Sequence, residues 1–233
     1  MAAAAFTAIE AMPHIRLLRL LQLASPALPV GAFAYSQGLE WAVEAGWLPQ
    51  AREVGDWIEG LLTHNLARFE VPVFSRLYAA CQKNQGETFE AWNRFLLAGR
   101  GSAELEQEEL HMGQALKRLL AQLQPDGRIA RACARPTFIA MFAAAACNWD
   151  IALEPACSGL LWAWCENQVA AAVKLVPLGQ TDGQRILLRL VEAIPGAVRV
   201  GLALPDDAMG AAAPGMILAC ALHETQHTRL FRS

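Results

Sequence analysis

The chain has 233 residues, enough for one sizeable core, with 55% hydrophobic and only 18% charged residues, where globular domains average about 25% charged. Its formal net charge of −3 and pI near 6.0 supply no basic field, which argues against nucleic acid and acidic membranes as partners. A mean hydropathy of +0.25 implies more apolar surface than a lone chain ordinarily exposes, so burial in a homodimer or larger complex is expected.

The Ala-rich start, about residues 1–13, is expected to fray, and Ile15 to Leu23 reads as the first helix. Leu17 to Ala27 faintly imitates a signal peptide, but Arg19 interrupts the apolar stretch. Ser25 to Glu40, SPALPVGAFAYSQGLE, must then be loop until about Tyr35, because Pro26 and Pro29 cannot donate backbone hydrogen bonds and Gly31 permits a positive φ. A loop carrying Leu28, Val30, Phe33 and Tyr35 belongs inside the protein or against a partner, and an ordinary buried helix connection explains it equally well. Ser36 is placed to cap the next helix, with Leu39 and Val43 on one face and Gly46 ending it.

From there apolar residues recur at spacings of three and four, the helical period. Ala51 to Phe69 reads as one helix with Val54, Ile58, Leu61, Leu62 and Leu66 inward, and Pro72 starts the next turn. Phe74, Leu77, Tyr78 and Cys81 continue to a polar turn at Lys83 to Gly86. Phe89, Trp92, Phe95 and Leu96 form another inward face, broken by Gly99 and Gly101. Ala103 to Leu123 places Leu105, Met112, Leu116, Leu119 and Leu123 inward and ends at the turn Pro125-Asp126-Gly127. Thr137 to Asn148 and Pro155 to Val176 are apolar almost all round and should form the core, with Trp162 and Trp164 at its centre. Thr181 or Asp182 can cap a further helix that Pro195 and Gly196 end or bend. Asp206 to Ala213 reads as a linker, and Pro214 restarts helix. The expectation is an all-α, single-domain bundle of about ten helices. The longest strictly apolar run, Phe138 to Cys147, falls short of the roughly 20 residues a membrane span needs. Six cysteines without a C-x-x-C read as reduced, buried thiols.

Few motifs carry chemistry. The nucleotide-binding glycine loops and the G-x-S-x-G elbow are absent, so the chain has no visible means of cradling a nucleotide or mounting a serine nucleophile. His223-Glu224-Thr225-Gln226-His227 spells H-E-x-x-H, which on a helix would set two imidazoles on one face for zinc, with Glu224 as general base. A catalytic zinc needs a third ligand from further along the chain, and Thr228 to Ser233 offer no His, Asp or Glu. Two surface histidines are therefore the preferred reading over a zinc-dependent hydrolase or transient nickel binding. Glu104, Glu106, Glu108 and Glu109 read as a solvated helix face. Lys174, among Val173, Leu175 and Val176, must snorkel, pair with an acid or reach a partner. Arg229, Leu230, Phe231 and Arg232 make a cationic, aromatic tail suited to ordering on a partner.

Three segments carry a resemblance as well: Leu28 to Leu48 (LPVGAFAYSQGLEWAVEAGWL), Val173 to Gln180 (VKLVPLGQ) and His223 to Ser233 (HETQHTRLFRS). In order along nearly the whole chain, they resemble the UreF family of urease accessory proteins, which helps load nickel into urease. The resemblance implies one UreF-like domain over residues 1–233, with a flexible N-terminus and a flexible tail from about 224 to 233. It implies a cytoplasmic, non-catalytic protein that bridges UreD (also called UreH) and the GTPase UreG during GTP-dependent maturation of apo-urease. No cofactor is held tightly, and nickel is handled by the complex. The partner-facing residues it implies are Glu40 and Lys174 toward UreG and Arg229 in the tail. Phe33, at a position that can be Tyr, joins them, with Gln180, His223, Glu224, Leu230 and Phe231 from the matching segments. The family usually has Tyr where this chain has His227. It often has an arginine-bearing helix where this chain reads GRGSAELEQEE, so no role of those arginines is carried over. A helical adaptor for another complex remains the other alternative.

Overall fold

The structure, a computed structural model, describes residues 14–123, 133–210 and 213–233. The expected flexible start, the turn at Pro125-Asp126-Gly127 and part of the expected linker lie outside the described residues. Among those described there are ten α-helices and no strand: α1 over 14–23, α2 Leu39–Glu44, α3 Ala51–Leu61, α4 Glu70–Gln82, α5 Gly86–Ala98, α6 Ala103–Leu123, α7 Phe138–Asn148, α8 Leu153–Leu175, α9 Gln180–Ala203 and α10 Pro214–His223. None is long and apolar enough to cross a membrane.

The core is built around α7. Every residue from Ile139 to Ala146 is buried, and its run of alanines lets α4 and α6 pack closely on either side. Thr137 starts the helix by accepting the Ala140 amide at 3.1 Å. The long α8 packs against α7 on one side and α9 on the other, while the short α2 is wedged between α8 and α10. Trp162 and Trp164 are not central but half-buried. Trp164 needs a partner for its indole N–H and finds it at the rim, donating to Gln37 Oε1 at 2.8 Å. Leu123 and Phe95, expected inward, are also exposed; Phe95 stacks at the edge between Phe69 and Trp92.

Local chemistry corrects several expected boundaries. The stretch from Ala51 to Phe69 is not one helix: α3 passes into a π turn at Leu62–Leu66, and Phe69 leaves helical geometry with φ −128° and its ring buried. Pro72 consequently lies inside the first turn of α4, where its missing N–H costs nothing. Pro195 does not end α9, which runs on to Ala203. The carbonyl it leaves without an amide belongs to Val191, on the exposed face where water can serve it. Gly179, not Thr181 or Asp182, precedes α9.

Two glycines shape the loop before α2. Gly31 has φ +80° with open space around it, whereas Gly38 has φ +78° and faces α10 so closely that a Cβ would sit 2.9 Å from the Cys220 amide nitrogen. Gly31→Val is expected to lower the unfolding free energy by about 2 kcal/mol, from backbone strain alone. Gly38→Ala should cost more, because strain and a backbone clash add. Denaturant midpoints for both variants test this ordering, and an unchanged midpoint for Gly31→Val would reject the need for a positive φ there.

Candidate functional site

The first ordered turn after Gly31 and the last residues of the chain form one site. Glu40, in the first turn of α2, is buried. Its carboxylate accepts the Leu230 amide at 2.6 Å on Oε1 and the Phe231 amide at 2.8 Å on Oε2. His223 Nε2 stands 3.3 Å from the same Oε2. Ser36 was expected to cap α2; its hydroxyl lies 3.3 Å from the Glu40 amide, although Gly38 is the residue preceding the helix. The same hydroxyl and the Ser36 amide both donate to the Ser233 carbonyl oxygen, at 2.5 and 2.8 Å. The Arg232 amide donates to the Ala34 carbonyl at 2.8 Å. Residues 228–233, read from the sequence as a tail that orders on a partner, thus lie along the chain's own loop, with the amides of Leu230, Phe231 and Arg232 and the main-chain oxygen of Ser233 all hydrogen-bonded.

The opposite wall is α6, and here the acid cluster departs from expectation. Glu108 and Glu109 are buried, and Glu104 is nearly so. Glu104 Oε1 receives Arg229 at 2.7 Å and its Oε2 receives His223 Nδ1 at 2.8 Å. Glu108 accepts Ser233 Oγ at 2.9 Å and Gln37 Nε2 at 2.7 Å. Glu109 Oε1 pairs with Arg100 at 2.5 Å, while its Oε2 accepts the first amide of α7, that of Phe138, at 2.9 Å. Arg100 also reaches Glu70 at 2.6 Å. Only Glu106 stays at the surface, paired with Arg135. The physical reason is register: Leu105, Met112 and Leu116 define the inner stripe of α6, and 108 and 109 fall on that stripe. Beside this network Gln37, Glu70, Arg100, Glu108 and Trp164 line a cavity of about 80 Å³.

The remaining expected residues divide between this site and elsewhere. Phe231 is buried, and Lys174 of α8 lies with its Nζ 5.6 Å from the Phe231 ring centroid, a cation–π contact. Leu230 is 64% exposed beside it. Glu224 Oε1 accepts the Ala103 amide at 3.2 Å and so caps α6 from outside. Phe33 is 69% exposed at the mouth of an apolar cavity of about 220 Å³ lined with Leu23, Leu28 and Val30. Gln180, the first residue of α9, is exposed and takes no part in the hydrogen bonds joining the others. His227 does not join His223. α10 ends at His223, the H-E-x-x-H string is not helical beyond it, and both ring nitrogens of His223 face carboxylates. Among the described residues no three His, Cys, Asp or Glu side chains converge on a metal position. The geometry that the zinc reading requires is therefore missing.

With the site in view, the comparisons fix the family. The UreF family profile matches residues 49–191. A urease accessory protein UreF from Alkalilimnicola ehrlichii is 50% identical over 231 residues, covering 96% of this chain and 99% of the relative. This chain belongs to the UreF family of urease accessory proteins. Relatives bearing the same description from Azoarcus sp. and Hahella chejuensis are 48% and 43% identical, each covering at least 93% of both chains.

Reasoning from the sequence missed the residues that receive the tail in this UreF-family chain: Ser36, Gln37, Glu104 and Glu108. Burial pushes the Glu108 carboxyl up from its ordinary 4.5 to about 7, while hydrogen bonds from Gln37 and Ser233 pull it down. A carboxyl raised on folding binds its proton more tightly in the folded state, so its contribution to stability is present at low pH and lost as pH rises from about 4.5 to about 7. Glu108→Gln is expected to flatten the fall in unfolding free energy across that window, by an amount on the order of 2–3 kcal/mol. Denaturant titrations of both proteins at several pH values give the comparison, and parallel profiles would reject it.

Proposed function

We propose that this protein bridges UreD and the GTPase UreG in the cytoplasm as a homodimer, and so governs GTP-dependent delivery of nickel to apo-urease without a catalytic site of its own. Membership of the UreF family supports the urease role. The observation that carries the bridging role is the presentation of the tail: its backbone is fixed by Glu40 and Ser36, so the exposed Leu230, Arg232 and Arg229 side chains stand in a defined order. Arg and apolar side chains held in place are the composition of binding hot spots. Lys174 extends the same surface from α8 through its contact with Phe231. Nickel is cargo in this reading, passed within the complex.

The role is tested by urease activity, at limiting nickel, in cells that carry urease and its other accessory genes but lack UreF. Restoration by this chain is expected; no restoration, with soluble protein and cognate partners present, would return the protein to the class of general helical adaptors. Leu230→Asp is expected to change stability by no more than about 0.5 kcal/mol, as exposed substitutions do, yet to abolish capture of UreG and urease activation. Arg229→Ala should lose capture in the same way, with its helices intact. Normal UreG capture by both variants would sink the tail as the docking surface.

A further inference from the structure

We infer that His223 is a positioning residue of the tail: as a cation it holds the Glu40 carboxylate against the tail amides, so docking of the tail follows the protonation of one buried ring. His223 is fully buried at the end of α10, with Nδ1 2.8 Å from Glu104 Oε2 and Nε2 3.3 Å from Glu40 Oε2. Carboxylate oxygens only accept, and a neutral imidazole has a single N–H. Both contacts are hydrogen bonds only when the ring carries both protons.

The charges around the ring make that proton matter. Glu40 from α2 and Glu104 from α6 face it, Glu104 also pairs with Arg229 of the tail, and with a charged ring the two carboxylates and two cations of this cluster balance. With a neutral ring one enclosed negative charge is left without a partner. The other ionisable groups nearby are committed elsewhere: Glu224 to the Ala103 amide, Glu108 to Gln37 and Ser233, Glu44 to Gln226, and Lys174 to the Phe231 ring. Cys220, one turn back on α10, is kept neutral by burial, which pushes its thiol up to about 12. Glu104 keeps Arg229 if the ring lets go, whereas among the described residues the Glu40 carboxylate is held otherwise by the tail amides alone. The orientation of Glu40 is thus the one that depends on His223, and loosening it releases the tail while leaving α7 and α8 untouched.

The experiment is amide hydrogen exchange of the full chain alone, without partners, read by mass spectrometry and corrected for intrinsic rates, from about pH 5 to about pH 9. Protection over 228–233 is expected to fall roughly tenfold across the span, the worth of one charge-assisted hydrogen bond, while α7 and α8 keep theirs. His223→Gln is expected to show low tail protection throughout, without a pH dependence. Glu108→Gln removes another titrating group at the tail and, although it alters the contact with Ser233 and so the level of protection, should leave the pH dependence in place. Tail protection that is flat with pH in the wild type, that is unchanged in His223→Gln, or that loses its pH dependence in Glu108→Gln would overturn the inference. Should His223→Gln not fold, the wild-type and Glu108→Gln profiles decide alone. Because no partner is present, the outcome is separate from the bridging role proposed above.

Discussion

The carboxylate of Glu40 is the contact on which the rest of the site depends. One buried side chain near the start of the fold accepts two amides from the last residues of the chain and faces a histidine at the end of α10. A buried carboxylate with that many donors is stabilised by hydrogen bonding to its charged form, which offsets the cost of removing it from water. The same logic repeats along the tail. Glu104 receives Arg229 and Glu108 receives Ser233, so three acids from two helices meet the tail at successive points. Glu40 satisfies two backbone amides, which fix the path of the chain, while Glu104 and Glu108 each hold a tail side chain.

That path makes demands on packing. α2 must lie close enough to α10 for Glu40 to meet His223, and the approach is set by Gly38, where even a single methyl would collide with the Cys220 backbone. The left-handed turn at Gly38 then starts α2 with Glu40 in its first turn, where a negative side chain also suits the helix N-terminus. On the other wall, Glu224 caps α6 at Ala103, which ties the end of α10 to the helix carrying Glu104 and Glu108. Backbone conformation, helix capping and ion pairing therefore converge on one arrangement, the kind of consistency between levels that specifies a single structure.

The helices were legible in the sequence because the three-and-four spacing is a local signal, and α7 was legible as core because it has no polar face. What the period does not reveal is where a buried ring or a lone pair redirects the chain: the π turn before Phe69, the passage of α9 through Pro195 and the rim position of Trp164 each turn on one side chain's partners. The same holds for the site. Glu40, Lys174, His223 and the tail residues drew notice from their company and from family resemblance. Glu108 and Glu109 were placeable from the stripe of Leu105, Met112 and Leu116, but reading the acids as a charge run hid that register. The pairing of Glu40 with Leu230 joins residues far apart in sequence, and neither periodicity nor composition encodes such a pairing.

The burial of Glu40 changes how a partner surface must be understood. A residue that is 7% exposed, with both oxygens occupied by the tail and His223, offers a partner nothing to touch while the tail is docked. Its influence on association must pass through the position of Arg229, Leu230 and Arg232. Lys174 acts at the same place from outside, since its ammonium lies over the ring of Phe231, whose amide Glu40 holds. Glu40 and Lys174 are therefore coupled through one tail residue instead of forming a charged face of their own, and their substitutions should be non-additive, as for residues that share a partner.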